Sequence, residues 1–207
     1  MPIVAIVSQK GGSGKTTLAI HLAVRAVASG KLTYVIDTDP QATAAAWGDW
    51  RGDYQPEVIT SPPARLTRTI QTLTKGGGEF IVIDTPPHAD AAAREAVKAA
   101  DLVLIPTRLR AFDLHAIEAT AELVGFAGTP AFVLLNAVPA RATRQVDAAI
   151  QAVDGYGLKV CPVRFGERAA FHQASATGEV AAEINVETKA AAEVEALWQW
   201  VGQQIGN

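Results

Sequence analysis

Between an apolar, β-branched run, Ile3–Val7, and a stretch that reads as helix from about Thr16 to Ser29 stands Lys10-Gly11-Gly12-Ser13-Gly14-Lys15-Thr16-Thr17. Strand, glycine-rich loop and helix in that order confine the chain to folds in which the turn after the first strand opens a helix N-terminus. Leu18 and Leu22, four residues apart, give that helix a face to bury. Glycines let successive backbone N–H groups converge on phosphate oxygens, and the helix end adds a partial positive charge. Lys15 is placed to reach terminal phosphates, and the Thr16 hydroxyl is the type of oxygen that Mg²⁺ accepts. Gly11, Gly12, Ser13, Gly14, Lys15, Thr16 and Thr17 are therefore the candidate nucleotide-binding residues. Five positions before Gly14 stands Gln9, where the ordinary phosphate-loop pattern has glycine, and an additional lysine, Lys10, heads the loop.

The rest of the chain repeats the alternation. Further strands read at Thr33–Ile36, Val58–Thr60, Phe80–Ile83, Leu102–Ile105, Ala131–Leu135 and Leu158–Cys161. Helices read at Ala42–Trp50, Ala64–Thr74, Ala89–Ala99, Leu114–Val124, Thr143–Val153 and Thr188–Ile205. Most strands are unbroken apolar runs, the pattern of a parallel sheet covered on both faces. The prediction is an α/β fold: a doubly wound, mostly parallel sheet flanked by helices, with residues 1–207 as one domain. A length of 207 residues with 49% apolar and 19% charged residues fits one buried core.

Two strands end on acids: Val35-Ile36-Asp37-Thr38-Asp39-Pro40-Gln41 and Ile81-Val82-Ile83-Asp84-Thr85-Pro86-Pro87. Ligands of open α/β sheets bind at the carboxyl ends of strands, where these carboxylates fall. An aspartate after a buried strand also serves as a helix N-cap, and both readings stand for Asp37 and Asp84.

Lys10-Gly-Gly-x-Gly-Lys15-Thr16, Asp37-x-Asp39-Pro40-Gln41-Ala42-Thr43 with Trp47, Asp84-Thr85-Pro86-Pro87, and Ile105-Pro106 with Phe112-Asp113-Leu114 together resemble the ParA/MinD family of deviant Walker-A ATPases, most densely in the first half of residues 2–185. The match is nearest to the short ParA proteins without an N-terminal DNA-reading extension. The resemblance implies an ATP- and Mg²⁺-dependent ATPase that forms a homodimer on ATP. Lys10 would reach the partner's nucleotide, Asp39 would position the attacking water, and Thr16, Asp37 and Asp84 would hold Mg²⁺, making Lys10, Lys15 and Asp39 the catalytic set. It also implies adenine contacts at Asn136 and Pro162, although Asn136 equally suits the cap of the turn into Val138-Pro139. Leu109-Arg110 departs from the Pro-Ser-like loop usual there.

A formal net charge of -3 gives no global pull towards nucleic acid, so a DNA contact needs local patches. Arg65, Arg68 and Lys75 form one, free of acids from 61 to 75, and Arg141, Arg144, Arg164 and Arg168 flank the late strands. The expected activity is non-specific DNA binding by the dimer, released when a small centromere-binding adaptor stimulates hydrolysis. The alternatives are positioning of a protein cargo such as a chemoreceptor array, carboxysome or cellulose-synthesis complex, and a metabolic enzyme of the dethiobiotin-synthetase or iron-protein type. The acidic stretch 179–207, with Glu179, Glu183, Glu187, Glu193 and Glu195 against Lys189, argues against an anionic membrane partner. Trp198 and Trp200 there read as one packed ring and one partly exposed ring. The single cysteine, Cys161, excludes an internal disulfide and a cysteine-ligated cluster, and the lack of an export signal points to a bacterial cytoplasmic, nucleoid-associated protein.

Overall fold

A computed structural model describes residues 1–88, 90–175 and 177–206. Its strands are β1 (Ile3–Ile6), β2 (Thr33–Asp37), β3 (Glu57–Thr60), β4 (Phe80–Asp84), β5 (Leu102–Thr107), β6 (Ala131–Leu135) and β7 (Lys159–Val160). They form one seven-stranded sheet in the order β3-β2-β4-β1-β5-β6-β7, and each adjacent pair is parallel. The helices are α1 (Lys15–Ala28), α2 (Thr43–Arg51), α3 (Leu66–Lys75), α4 (Asp90–Ala99), α5 (Ala111–His115), α6 (Ile117–Ala127), α7 (Thr143–Gly155), α8 (Ala169–Ser175), α9 (Ala181–Ile184) and α10 (Lys189–Gln204). Ala89, the expected start of the fourth long helix, lies outside the described residues.

Strand parity divides the interior into two cores, because successive side chains leave a strand on opposite faces. Val4, Ile6, Val35, Phe80, Val82, Leu102 and Leu104 pack against Leu18 and Leu22 of α1 and Val194 and Leu197 of α10. Ala5, Val7, Ile36, Ile81, Ile83, Val103 and Ile105 pack on the other face against α3, α4, α6 and α7. Cys161 lies in the first core, 3% exposed, where burial pushes its thiol pKa up to about 12.

One expectation needs correction: the helix expected over Leu114–Val124 is two helices broken at Ala116. The short α8 and α9 have no counterpart among the expected elements, since one or two turns leave no resolvable apolar period. Both late tryptophans are half-buried and pack edge-on against strand aromatics, Trp198 on Phe80 at 5.2 Å and Trp200 on Phe132 at 4.9 Å between ring centres.

In an all-parallel sheet each strand is left at the same end, so every strand-to-helix turn falls on one rim. That rim carries the loop after β1, the acids after β2 and β4, and the turns after β5, β6 and β7. β1 sits at the switch point: its neighbours β4 and β5 belong to the two opposite halves of the winding.

Candidate functional site

The phosphate loop closes on itself. Lys15 is buried, and its Nζ donates to the Lys10 carbonyl at 3.1 Å. Burial lowers the Lys15 pKa, opposed by the carboxylates of Asp84 and Asp39. Gly14 has φ +98 and Gly12 φ +73, backbone that a side chain strains. Lys10 stands half-buried at the head of the loop, and Gly11 and Gly12 are exposed. Gln9 sends its side-chain amide to Asp90 Oδ1 at 2.8 Å, and its carbonyl accepts from His88 N, which ties the loop to the segment after β4.

The two strand-end acids reach this loop through parity and register. Asp84 continues the Phe80, Val82 side of β4 and Asp37 the Val35 side of β2, which is the face that α1 covers. The two residues are direct partners in the β2–β4 ladder. Asp84 Oδ2 accepts from the Thr16 hydroxyl at 2.6 Å, while Oδ1 is buried with no hydrogen-bond partner. Burial, reinforced by Asp37, pushes the Asp84 pKa up to about 7, although the Thr16 hydroxyl and Lys15 oppose the shift.

Asp37 accepts from the amides of Asp39 at 2.9 Å and Ala45 at 3.0 Å, so it caps the first turn of α2 while standing beside Asp84. Burial raises its pKa, and those amides oppose the rise. Asp39 is half-buried, and its Oδ1 accepts from Gln41 N at 2.8 Å. A buried, unpartnered carboxylate oxygen next to a hydroxyl is a donor pair that a hard cation satisfies, so Thr16 and Asp84 fit a Mg²⁺ ion, with Asp37 alongside. Among the described residues no three His, Cys, Asp or Glu side chains are grouped to hold a metal ion, so the protein's own contacts to Mg²⁺ would be few.

Beside the loop lies a cleft of about 540 Å³ walled by Gly12, Gly14 and Thr17 on one side, Arg108 on another and Gly166–Arg168 on a third. Asn136 lines this cleft. Pro162 does not; it borders a separate cleft with Ile150 and Arg164. The segment after β7 reaches the cleft beside the phosphate loop at Gly166–Arg168, four to six residues beyond Pro162. Arg108, whose Nε is buried without a partner, and Glu167 were missed. The available signal for Arg108 was its place two residues beyond Ile105-Pro106 at a strand end.

The candidate DNA arginines all lie on the same rim as the phosphate loop. Arg65 and Arg68 follow β3, Arg141 and Arg144 follow β6, and Arg164 follows β7; all five are exposed. β3 and β6 are five strands apart, roughly 24 Å, so these form two separate patches at the ends of the rim. Arg168 differs from these five: it is half-buried and pairs with Glu193 at 2.7 Å, which weakens its pull on a phosphate.

The family model described as the CobQ/CobB/MinD/ParA nucleotide binding domain matches residues 4–181. The chain belongs to this family. It is 38% identical over 145 residues to the maintenance of carboxysome distribution protein A of Gloeobacter kilaueensis, covering 67% of this chain and 64% of that relative. It is 29% identical over 115 residues to a protein ParA of Rhizobium radiobacter, covering 55% of this chain and 51% of that relative. The match thus spans about half to two thirds of these relatives' lengths. In structure the chain resembles apo McdA of Cyanothece, with a TM-score of 0.79 and 17% identity over 98% of this chain and 100% of that one. That likeness shows the fold. No described helix is long and apolar enough to cross a membrane.

Proposed function

We propose that this ParA/MinD-family chain is a Mg²⁺-dependent ATPase whose bound triphosphate controls pairing with a second copy, and that the pair positions a protein assembly inside the cell. The observation that carries the nucleotide chemistry is the contact of Thr16 with Asp84, beside a buried Lys15, at the head of α1. Lys15 exchanges the Lys10 carbonyl for phosphate oxygens. Thr16 and Asp84 hold the metal, which neutralises phosphate charge when bound. Asp39 orients the attacking water, and Lys10 reaches the nucleotide of the second copy. The adenosine lies in the cleft walled by Arg108 and Gly166–Arg168.

The protein-assembly cargo follows from the likeness to a carboxysome-distribution protein, the stronger of the two sequence matches. Partition of plasmid or chromosomal DNA is the second reading, supported by the ParA relative. Both use non-specific DNA as the track, with the Arg65/Arg68 and Arg141/Arg144/Arg164 patches as phosphate contacts, and both need a partner protein that stimulates hydrolysis.

The test of the switch is mass in solution with a non-hydrolysable ATP analogue and Mg²⁺, with ADP, and with neither, together with DNA binding in the same three states. Doubling of mass and tighter DNA binding with the analogue alone is the expected result; identical behaviour in all three overturns the proposal. Deleting the gene in its host separates the two cargoes: scattered assemblies with faithful plasmid inheritance support the first reading, and plasmid loss supports the second.

A further inference from the structure

Asn136 closes β6, and its backbone N–H donates to Thr107 O at 2.7 Å, which fixes its position as an extension of the sheet. Each end of its side chain has a backbone partner. Oδ1 accepts from Ala137 N at 2.8 Å, and Nδ2 donates to the Ser13 carbonyl at 2.7 Å. The first bond sets the direction of the second, because only the oxygen of a carboxamide can satisfy a backbone N–H, so the amide nitrogen has to face Ser13. Ala137 is held at φ +51 in the same turn.

Gly14 gives an independent sign of close fit: a Cβ there would lie 2.1 Å from Asn136 Nδ2. The side chain therefore lies flat against the phosphate loop, in space that only a glycine leaves free. A loop that cradles an anion has to turn its amides inward and its carbonyls outward, since a carbonyl oxygen facing a phosphate repels it. Asn136 holds one of those carbonyls outward from a neighbouring strand.

We infer that Asn136 is a positioning residue for the phosphate loop, acting on triphosphate binding through the Ser13 carbonyl. This rests on the phosphate-site reading above and adds to it the residue that sets the loop's shape. The consequence is independence from the base: loss of Asn136 weakens every ligand that occupies the loop by the same factor, whether or not it carries adenine.

The test measures the affinities of wild type, Asn136→Ala and Asn136→Ser for MgATP, MgGTP and Mg²⁺-loaded inorganic triphosphate, with thermal unfolding to confirm that each variant is folded. The expected result is a loss of about five-fold for MgATP and inorganic triphosphate alike, with an unchanged ATP-to-GTP ratio. Amide hydrogen exchange over residues 10–15 in the nucleotide-free protein provides a second readout, expected to speed up in both variants. A loss confined to MgATP, with inorganic triphosphate bound as in wild type and the ATP-to-GTP ratio falling towards one, overturns the inference in favour of adenine reading. Variants that bind all three ligands as wild type also overturn it. Failure of wild type itself to bind inorganic triphosphate and ATP would instead strike the phosphate-site reading. If the alanine variant does not fold, the serine variant carries the same comparison.

Discussion

The two halves of the rim are built differently. On the β1, β2 and β4 side, Lys15, Thr16, Asp37 and Asp84 are drawn into a mostly buried, hydrogen-bonded knot in which only Asp84 Oδ1 lacks a partner. On the β5, β6 and β7 side, an open cleft is walled by residues from three separate turns, with Arg108 Nε left unsatisfied. Knot geometry is set by strand register and by the helix that follows one loop, whereas cleft geometry depends on where three turns happen to converge. The knot therefore suits charge chemistry that tolerates no displacement, and the cleft suits recognition that can vary between relatives.

The comparison breaks if the knot can be cut without consequence. Lys15→Ala removes the buried cation of the knot, and triphosphate affinity should fall by roughly 3–5 kcal/mol, read by titration calorimetry. Retention of affinity within ten-fold would mean that the cleft, and not the knot, holds the ligand.

The next effect concerns what lies beneath the knot. His21, one turn beyond Thr17 on α1, contacts the Thr17 carbonyl through Nδ1 at 2.8 Å and accepts from Ala181 N through Nε2 at 3.2 Å, so it is neutral in the fold. Burial lowers its pKa from 6.5 to about 4. The unfolded chain binds a proton that the folded chain refuses, so stability is full above pH 6.5 and falls on acidification, by about 3 kcal/mol at pH 4. Denaturant titrations at pH 7.5 and 4.5 should show a gap that narrows in His21→Gln; an unchanged gap would assign the acid sensitivity to carboxylates.

Asp39→Ala sharpens the division within the knot. Hydrolysis should slow about a hundred-fold while ATP affinity changes little if Asp39, which has no carboxylate–hydroxyl contact to Thr16, orients the water as proposed. Parallel loss of affinity and rate would place it with the metal-holding pair. The smallest effect belongs to the cleft side. Arg168→Ala breaks a partly exposed pair with Glu193 and should cost under about 1 kcal/mol, a Tm shift of at most roughly 2–4 °C. A large drop in DNA affinity would place Arg168 in the DNA-facing set.

The same division explains what could be read from the chain. Lys10–Thr17, Asp37–Gln41 and Asp84–Pro87 are contiguous, and unbroken apolar runs mark the strands that end at them, so the sheet, its seven strands and the members of the knot were legible. Asp37 shows the limit of that reading. Metal neighbour and helix cap were posed as alternatives, yet the structure has the same carboxylate capping α2 and standing beside Asp84, because the turn back into α2 brings both partners to it. On the cleft side, sequence order misleads. Pro162 is adjacent to β7 but faces another cleft, Gly166–Arg168 arrive only after the chain has turned, and the partner of Arg168 lies 25 residues away on α10. A pair of that separation leaves no local pattern to read.

Cys161 gives the protein a built-in reporter. A lone thiol only 3% exposed, with its pKa pushed up to about 12 by burial, should react slowly with maleimides and disulfide reagents while the sheet is intact. The rate at which such a reagent consumes it therefore clocks how often the interior opens. Comparing that clock with and without ligand measures how much of the bound nucleotide's energy reaches the far edge of the sheet, with no label added to the chain.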